Sequence, residues 1–264
     1  MKYKTLPSTF FENNRARFTA QMKPNTIAIF HSNDLYKNNA DGNYRFVQDS
    51  NMYYLSGIDQ EEVILFLYPD APDEKWKEML FVKKTNEHIQ IWDGWKYSKE
   101  EATEASGIKN VHFYDDFTAM FRRMAAYFEG IYIDTNEFER NVRMTYSAAH
   151  RIADELKRAY PVHQYYRAAP ILHDLRVIKS EEELGQIKEA CGITAKAFDR
   201  VLKFIRPGVM EYEVEAEIAY AFLKNGATCP AFDTIAASGK NACVLHYINN
   251  DAVCKDGDMI LMNV

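Results

Sequence analysis

The sequence predicts an α/β protein in two parts. A complete domain of helices packed on a mixed sheet covers about residues 1–174, and the opening helices and strands of an α+β unit cover 175–264. Three observations predict this. Short apolar runs alternate with longer segments of helical spacing up to about residue 174. A capping box then opens a new element at Ser180 and Glu183. Beyond it, two amphipathic helices give way to strands.

Taken in order, Ile27-Ala28-Ile29-Phe30, Val63-Ile64-Leu65-Phe66-Leu67, Met79-Leu80-Phe81-Val82 and Ile131-Tyr132-Ile133 have the branched and aromatic content of buried strands. Phe117, Met120, Phe121, Met124 and Phe128 recur at steps of three and four, as do Val142, Tyr146, Ala149, Ala153 and Leu156, so each set makes one apolar helix face. After a boundary near Pro170–Asp174, the helix capped by Ser180 carries Leu184, Ile187, Cys191, Thr194, Phe198, Val201 and Ile205 on one face and is closed by Pro207-Gly208. Glu181, Glu182 and Glu183 suit its first turn, where exposed N–H groups favour negative charge.

A second helix starts near Glu211, buries Val214, Ile218, Ala221 and Phe222, and ends at Gly226. Its acidic residues Glu211, Glu213, Glu215 and Glu217 are expected on the flanks and outer face, in solvent. Strands follow at Phe232–Ala237 and Met259–Met262, the latter entered through the turn Asp256-Gly257-Asp258.

With 47% hydrophobic and 27% charged residues, the chain has the balance of a globular protein. A net charge of -6 argues against a broad nucleic-acid footprint, and no nucleic-acid partner is expected. No segment reaches the roughly 20 apolar residues of a membrane span, and the first residues lack a signal-peptide core. A cytoplasmic location without a membrane partner is the expectation. Cys191, Cys229, Cys243 and Cys254 form no CxxC pair and are expected as reduced thiols.

HExxH, GxSxG and GxGxxG are all absent. Ser238-Gly239-Lys240-Asn241 lacks the rest of a phosphate loop and reads as a turn. The histidines at 31, 88, 112, 150, 163, 173 and 246 show no metal-ligand spacing.

An ordered series of features changes the odds in the last third: Arg176–Glu183, Arg206-Pro207-Gly208 with Glu211, Phe232-Asp233-Thr234-Ile235, Ser238-Gly239, Leu245-His246-Tyr247 and Gly257-Asp258. Upstream stand Gln48-Asp49-Ser50-Asn51-Met52-Tyr53-Tyr54-Leu55-Ser56-Gly57 and Ile91-Trp92-Asp93-Gly94. In order and spacing the whole resembles the Xaa-Pro aminopeptidases (aminopeptidase P) of the pita-bread, or creatinase, metallopeptidase family. The resemblance implies a creatinase-type N-terminal domain followed by part of a pita-bread catalytic domain.

It also implies metal-dependent release of an N-terminal residue preceding proline, with two divalent metal ions, manganese expected, and peptides bearing proline at the second position as substrates. His246 would line the substrate pocket as a catalytic and substrate-binding residue rather than a metal ligand. A homo-oligomer is possible. Asn263 occupies the position of the family's first Asp ligand, where a neutral amide lacks the charge and bridging mode of a carboxylate. The remaining Asp, His and Glu ligands have no counterpart before Val264, so the 264-residue chain alone is expected to be inactive. The alternatives are a prolidase or creatinase-like enzyme fragment, or a non-catalytic partner-binding module of the same fold.

Overall fold

The computed structural model describes residues 5–137 and 146–264. Val142, expected on a helix face, lies outside the described residues. By its contacts the chain forms two compact units, Leu6–Ile178 and a second containing Lys179–Val264.

The first unit contains helix α1 (Ser8–Thr19), strand β1 (Thr26–His31), α2 (Ser50–Ser56), β2 (Ile64–Leu67), β3 (Glu78–Val82), α3 (Glu87–Asp93), α4 (Lys99–Ser106) and β4 (Asn110–Phe113). It continues through α5 (Phe117–Met124), β5 (Gly130–Ile133), α6 (Ala148–Ala159), β6 (Gln164–Arg167) and α7 (Ala169–Val177). The strands make one six-stranded sheet in the order β4-β3-β2-β1-β5-β6. β1–β2 and β2–β3 are antiparallel, and the other neighbours are parallel. A mixed sheet is therefore present, as the sequence predicts.

Its central strands alternate between two cores. Ala28, Phe30, Leu65, Leu67, Leu80 and Val82 pack with Phe11 and Phe18 of α1, Leu55 of α2, Ala102 of α4 and Leu172 and Leu175 of α7. Ile27, Ile29, Ile64, Phe66, Met79 and Phe81 pack with Phe117, Phe121 and Met124 of α5 and Leu156 of α6. Burial on both faces explains why these strands read as continuous apolar runs. β4 and β6 were not legible as strands, because they are the sheet's edges and carry polar, partly exposed residues such as Asn110, His112, Gln164 and Arg167.

Arg15 locks the α1 layer. It has no exposed surface, donating from Nη1 to the carbonyls of Leu55 (2.9 Å) and Ser106 (3.0 Å) and from Nε to Glu78 (3.1 Å). Those carbonyls belong to the last turns of α2 and α4, which lack intrahelical partners and attract a cation. Gly57 and Gly107 cap the same two helices with left-handed φ of 71° and 77°. A Cβ would stand 2.4 Å from the Phe11 ring at Gly57 and 2.1 Å from the Glu12 carboxylate at Gly107, so glycine also permits the close approach of α1.

The second unit holds α8 (Glu181–Phe204), α9 (Glu211–Lys224) and an antiparallel pair, β7 (Ile235–Ser238) and β8 (Ile260–Asn263). Ser180 and Glu183 form the expected reciprocal cap of α8. Ala197 and Val201 of α8 meet Val214, Ile218, Ala221 and Phe222 of α9, with Ala236 of β7 beside them. The expected α8 face is buried only toward its C-terminal end, and Ile187 and Cys191 are exposed. A helix of 14 residues spans about 21 Å and cannot cover one of 24 residues, about 36 Å long. The strand expected from Phe232 begins at Ile235, and the one expected from Met259 begins at Ile260.

Candidate functional site

Glu211 opens α9 and is fully buried, with 0% of its surface exposed. This corrects the expectation of a solvated outer-face carboxylate. Its Oε1 accepts from Ser238 N (2.6 Å), Ser238 Oγ (2.7 Å) and Asn241 Nδ2 (3.3 Å). Its Oε2 accepts from the Tyr247 hydroxyl (2.7 Å) and Ala252 N (2.9 Å).

The helical spacing contained this result. Residue 211 lies three positions before Val214 and seven before Ile218, on the stripe that faces the core. Burial works against the ionised form, but the donors from Ser238, Tyr247 and Ala252 outweigh it and hold the Glu211 carboxyl down at about 2. Burial and the bond to Glu211 push the Tyr247 hydroxyl up to about 12.

One carboxylate thus gathers the end of β7, the short turn Gly239–Cys243, the Leu245-His246-Tyr247 segment and the chain entering Val253. The segment has further ties. Asn241 Nδ2 donates to the Tyr247 oxygen at 3.0 Å, and the Tyr247 hydroxyl lies 3.0 Å from Asp251 Oδ1. Asn250 is buried in a left-handed conformation, φ 48°. It donates to Glu215 and to the Thr234 carbonyl, each at 2.8 Å, and accepts from Ala236 N at 3.0 Å. The turn expected at Ser238–Asn241 is present, and two of its side chains serve this anchor.

His246 sits in the turn between these anchors with its side chain exposed. Asn263 is the last residue of β8, opposite Ile235, and shares the exposed face of the strand with Leu261, while Ile260 and Met262 pack on the core.

The donor set does not suit a dinuclear metal. Among the described residues no three His, Cys, Asp or Glu side chains gather at a potential metal site. Asn263 offers one neutral oxygen, and several carboxylates of this unit already accept hydrogen bonds: Glu211 as above, Glu215 from Asn250, Asp251 from Tyr247 and Asp258 from Lys255 N at 2.9 Å. Cys191, Cys229 and Cys243 are exposed free thiols and Cys254 a buried one.

The upstream motif has a structural explanation of its own. Asp49 caps α2 by accepting from Asn51 N and Met52 N, each at 2.9 Å. Gln48 Nε2 donates to the Ile58 and Gln60 carbonyls, each at 2.9 Å. Asn51 donates to Asp134 at 2.9 Å and accepts from Arg176. In the second motif, Ile91 and Trp92 lie on α3 and are each 78% exposed.

The chain matches two family profiles in chain order: aminopeptidase P, N-terminal domain, over residues 11–132, and metallopeptidase family M24 over residues 185–264. It is 27% identical over 254 residues to the Xaa-Pro aminopeptidase of Escherichia coli, and 28% identical over 258 residues to that of Haemophilus influenzae. These alignments cover 96% and 98% of this chain but 57% of each relative, so the chain spans little more than half the length of the curated relatives it matches. The solved structure of Pseudomonas aeruginosa aminopeptidase PepP superposes with a TM-score of 0.84 at 30% identity, over 98% of this chain and 58% of that one. No described helix is long and apolar enough to cross a membrane. With both profiles matched in order and the relatives aligned along nearly its whole length, this chain belongs to the aminopeptidase P group of the M24 metallopeptidases.

Proposed function

We propose that this chain supplies the N-terminal domain and the substrate-side opening of the catalytic domain of an Xaa-Pro aminopeptidase. The enzyme releases an N-terminal residue preceding proline from peptides. Residues 1–174 serve as the creatinase-like N-terminal domain, and 175–264 as the first part of the pita-bread domain. The observation that carries the reading is the anchored loop: a buried carboxylate holds Tyr247 at 2.7 Å, while the adjacent His246 is displayed to solvent.

An exposed imidazole on a fixed loop can meet a peptide directly. In its neutral form it donates one hydrogen bond, to a substrate carbonyl or to the oxyanion that develops there. A divalent metal pair, manganese by expectation, would activate the attacking water, and it would be held by donors that the described residues do not assemble. By itself the 264-residue chain is proposed to be inactive, and the working enzyme cytoplasmic.

The test has two arms. The 264-residue chain, loaded with Mn²⁺ and desalted, should retain far less than one metal per chain and leave Xaa-Pro peptides intact; stoichiometric retention with turnover would overturn its assignment as inactive. In the metal-loaded native polypeptide, His246→Ala should lower kcat/KM at least tenfold with little change in Tm. Unchanged kinetics would remove His246 from the substrate site.

A further inference from the structure

We propose that Glu211 is a positioning residue for catalysis: acting through Tyr247, it fixes the loop that presents His246 to the substrate. This rests on the substrate role proposed for His246.

Within Val244–Asn249 the loop has no fully buried side chain, and its ties run through Tyr247, bonded to Glu211, Asn241 and Asp251, and through the buried Asn250 that follows it. Val244, Leu245, His246, Ile248 and Asn249 are all exposed, Leu245 by 84%, so no apolar side chain among them anchors the turn in the core. Tyr247 alone within Val244–Asn249 is turned partly inward, and its hydroxyl meets Glu211. Glu211 also holds both stems of the loop, Ser238 and Asn241 on entry and Ala252 on exit. Three points of one loop therefore converge on a single rigid group at the start of a helix.

The chemistry requires an anion there. All five partners are donors, and a carboxylate offers two oxygens with about four lone-pair sites to receive them. Glutamine would offer one oxygen and would direct its amide N–H groups against other donors. No Lys or Arg pairs with Glu211 among the described residues, so its charge is held by hydrogen bonds and by the α9 N-terminus. A buried anion of this kind adds nothing to hydrophobic packing. It gives the loop one geometry, with His246 fixed one residue from the bonded hydroxyl.

Two measurements decide the matter. In the 264-residue chain, NMR order parameters of Leu245–Ile248 should stand near those of rigid backbone, about 0.85, and fall below about 0.6 in Tyr247→Phe, while Val214–Ala221 of α9 stays rigid. Glu211→Gln should loosen the same residues; should it fail to fold, Tyr247→Phe decides together with Asp251→Ala. The latter removes the hydroxyl's other carboxylate partner and should leave the order parameters unchanged. Loosening in Asp251→Ala equal to that in Tyr247→Phe would overturn the assignment to Glu211. Unchanged order parameters in Tyr247→Phe would overturn the proposal.

The second measurement is a double-mutant cycle in the metal-loaded native polypeptide. Tyr247→Phe should lower kcat at least tenfold with KM within about twofold, and should cost nothing further in a His246→Ala background, because its effect passes through that imidazole. Additive losses, alongside a clear His246→Ala defect, would leave the substrate role of His246 standing and overturn the positioning role alone. A His246→Ala enzyme with unchanged kinetics would overturn the substrate role and this proposal with it.

Discussion

Oε2 of Glu211 accepts the Tyr247 hydroxyl at 2.7 Å across a sequence separation of 36 residues, joining the first turn of α9 to the loop before β8. Because Glu211 is fully buried, losing its charge leaves several donors without an acceptor. Glu211→Gln should therefore destabilise the second unit by about 2–4 kcal/mol, measured by urea unfolding at pH 7.

The same group gives that unit an acid limb. Its folded pKa, about 2, lies below the ordinary carboxylate value of 4.5. Its stabilisation is fully present above about pH 4.5 and is lost as pH falls toward 2. Unfolding free energy should drop through this window in the wild type and flatten in Glu211→Gln. An equally steep limb in the variant would contradict the assignment.

Asp134 acts in the opposite sense. Burial, and then the Asp49 carboxylate, push its carboxyl up to about 7 despite the bond from Asn51. A raised acid pKa means that the folded state holds its proton longer than the unfolded chain, so the associated stability is present below about pH 4 and is lost as pH rises to about 7. Asp134→Asn should raise the Tm of the first unit at pH 8 and change it little at pH 4. An equal shift at both values would exclude the titration as the cause.

Arg15 should be the least replaceable polar residue of the first unit, because it bonds the ends of both α2 and α4 from a position with no exposure. Arg15→Met keeps much of the stem but leaves two helix-end carbonyls without their donor. A loss of about 3 kcal/mol or more is expected in chemical denaturation. A change below about 1 kcal/mol would show that water replaces the guanidinium.

Residues 1–178 should melt cooperatively when expressed alone, because the six-stranded sheet has both faces covered from within Leu6–Ile178. Ending the chain at 174 removes Leu175, which is 4% exposed in that core, and should lower the Tm by several degrees. Identical melts for the two lengths would show that the end of α7 is dispensable.

By itself the sequence determined the elements whose burial is uniform or periodic. Strands β1, β2, β3 and β5 were legible because both their faces are covered, and α9 because Val214, Ile218, Ala221 and Phe222 keep one stripe. The Ser180–Glu183 cap was legible because both partners lie within one turn. The order of motifs likewise carried the family, since order and spacing survive where single residues do not.

Tertiary structure alone decided what depends on distant partners. Edge strands β4 and β6 are fixed by pairing with β3 and β5 rather than by their own composition. A glutamate or arginine reads as a surface residue until its partners are known, and those of Arg15 lie 40, 63 and 91 residues away. For Glu211 they lie between 27 and 41 residues away; its helical spacing placed it on the core-facing stripe, but only the fold could show the donors that let a carboxylate be buried there. Burying an ion is costly without such partners, and the fold brings them together.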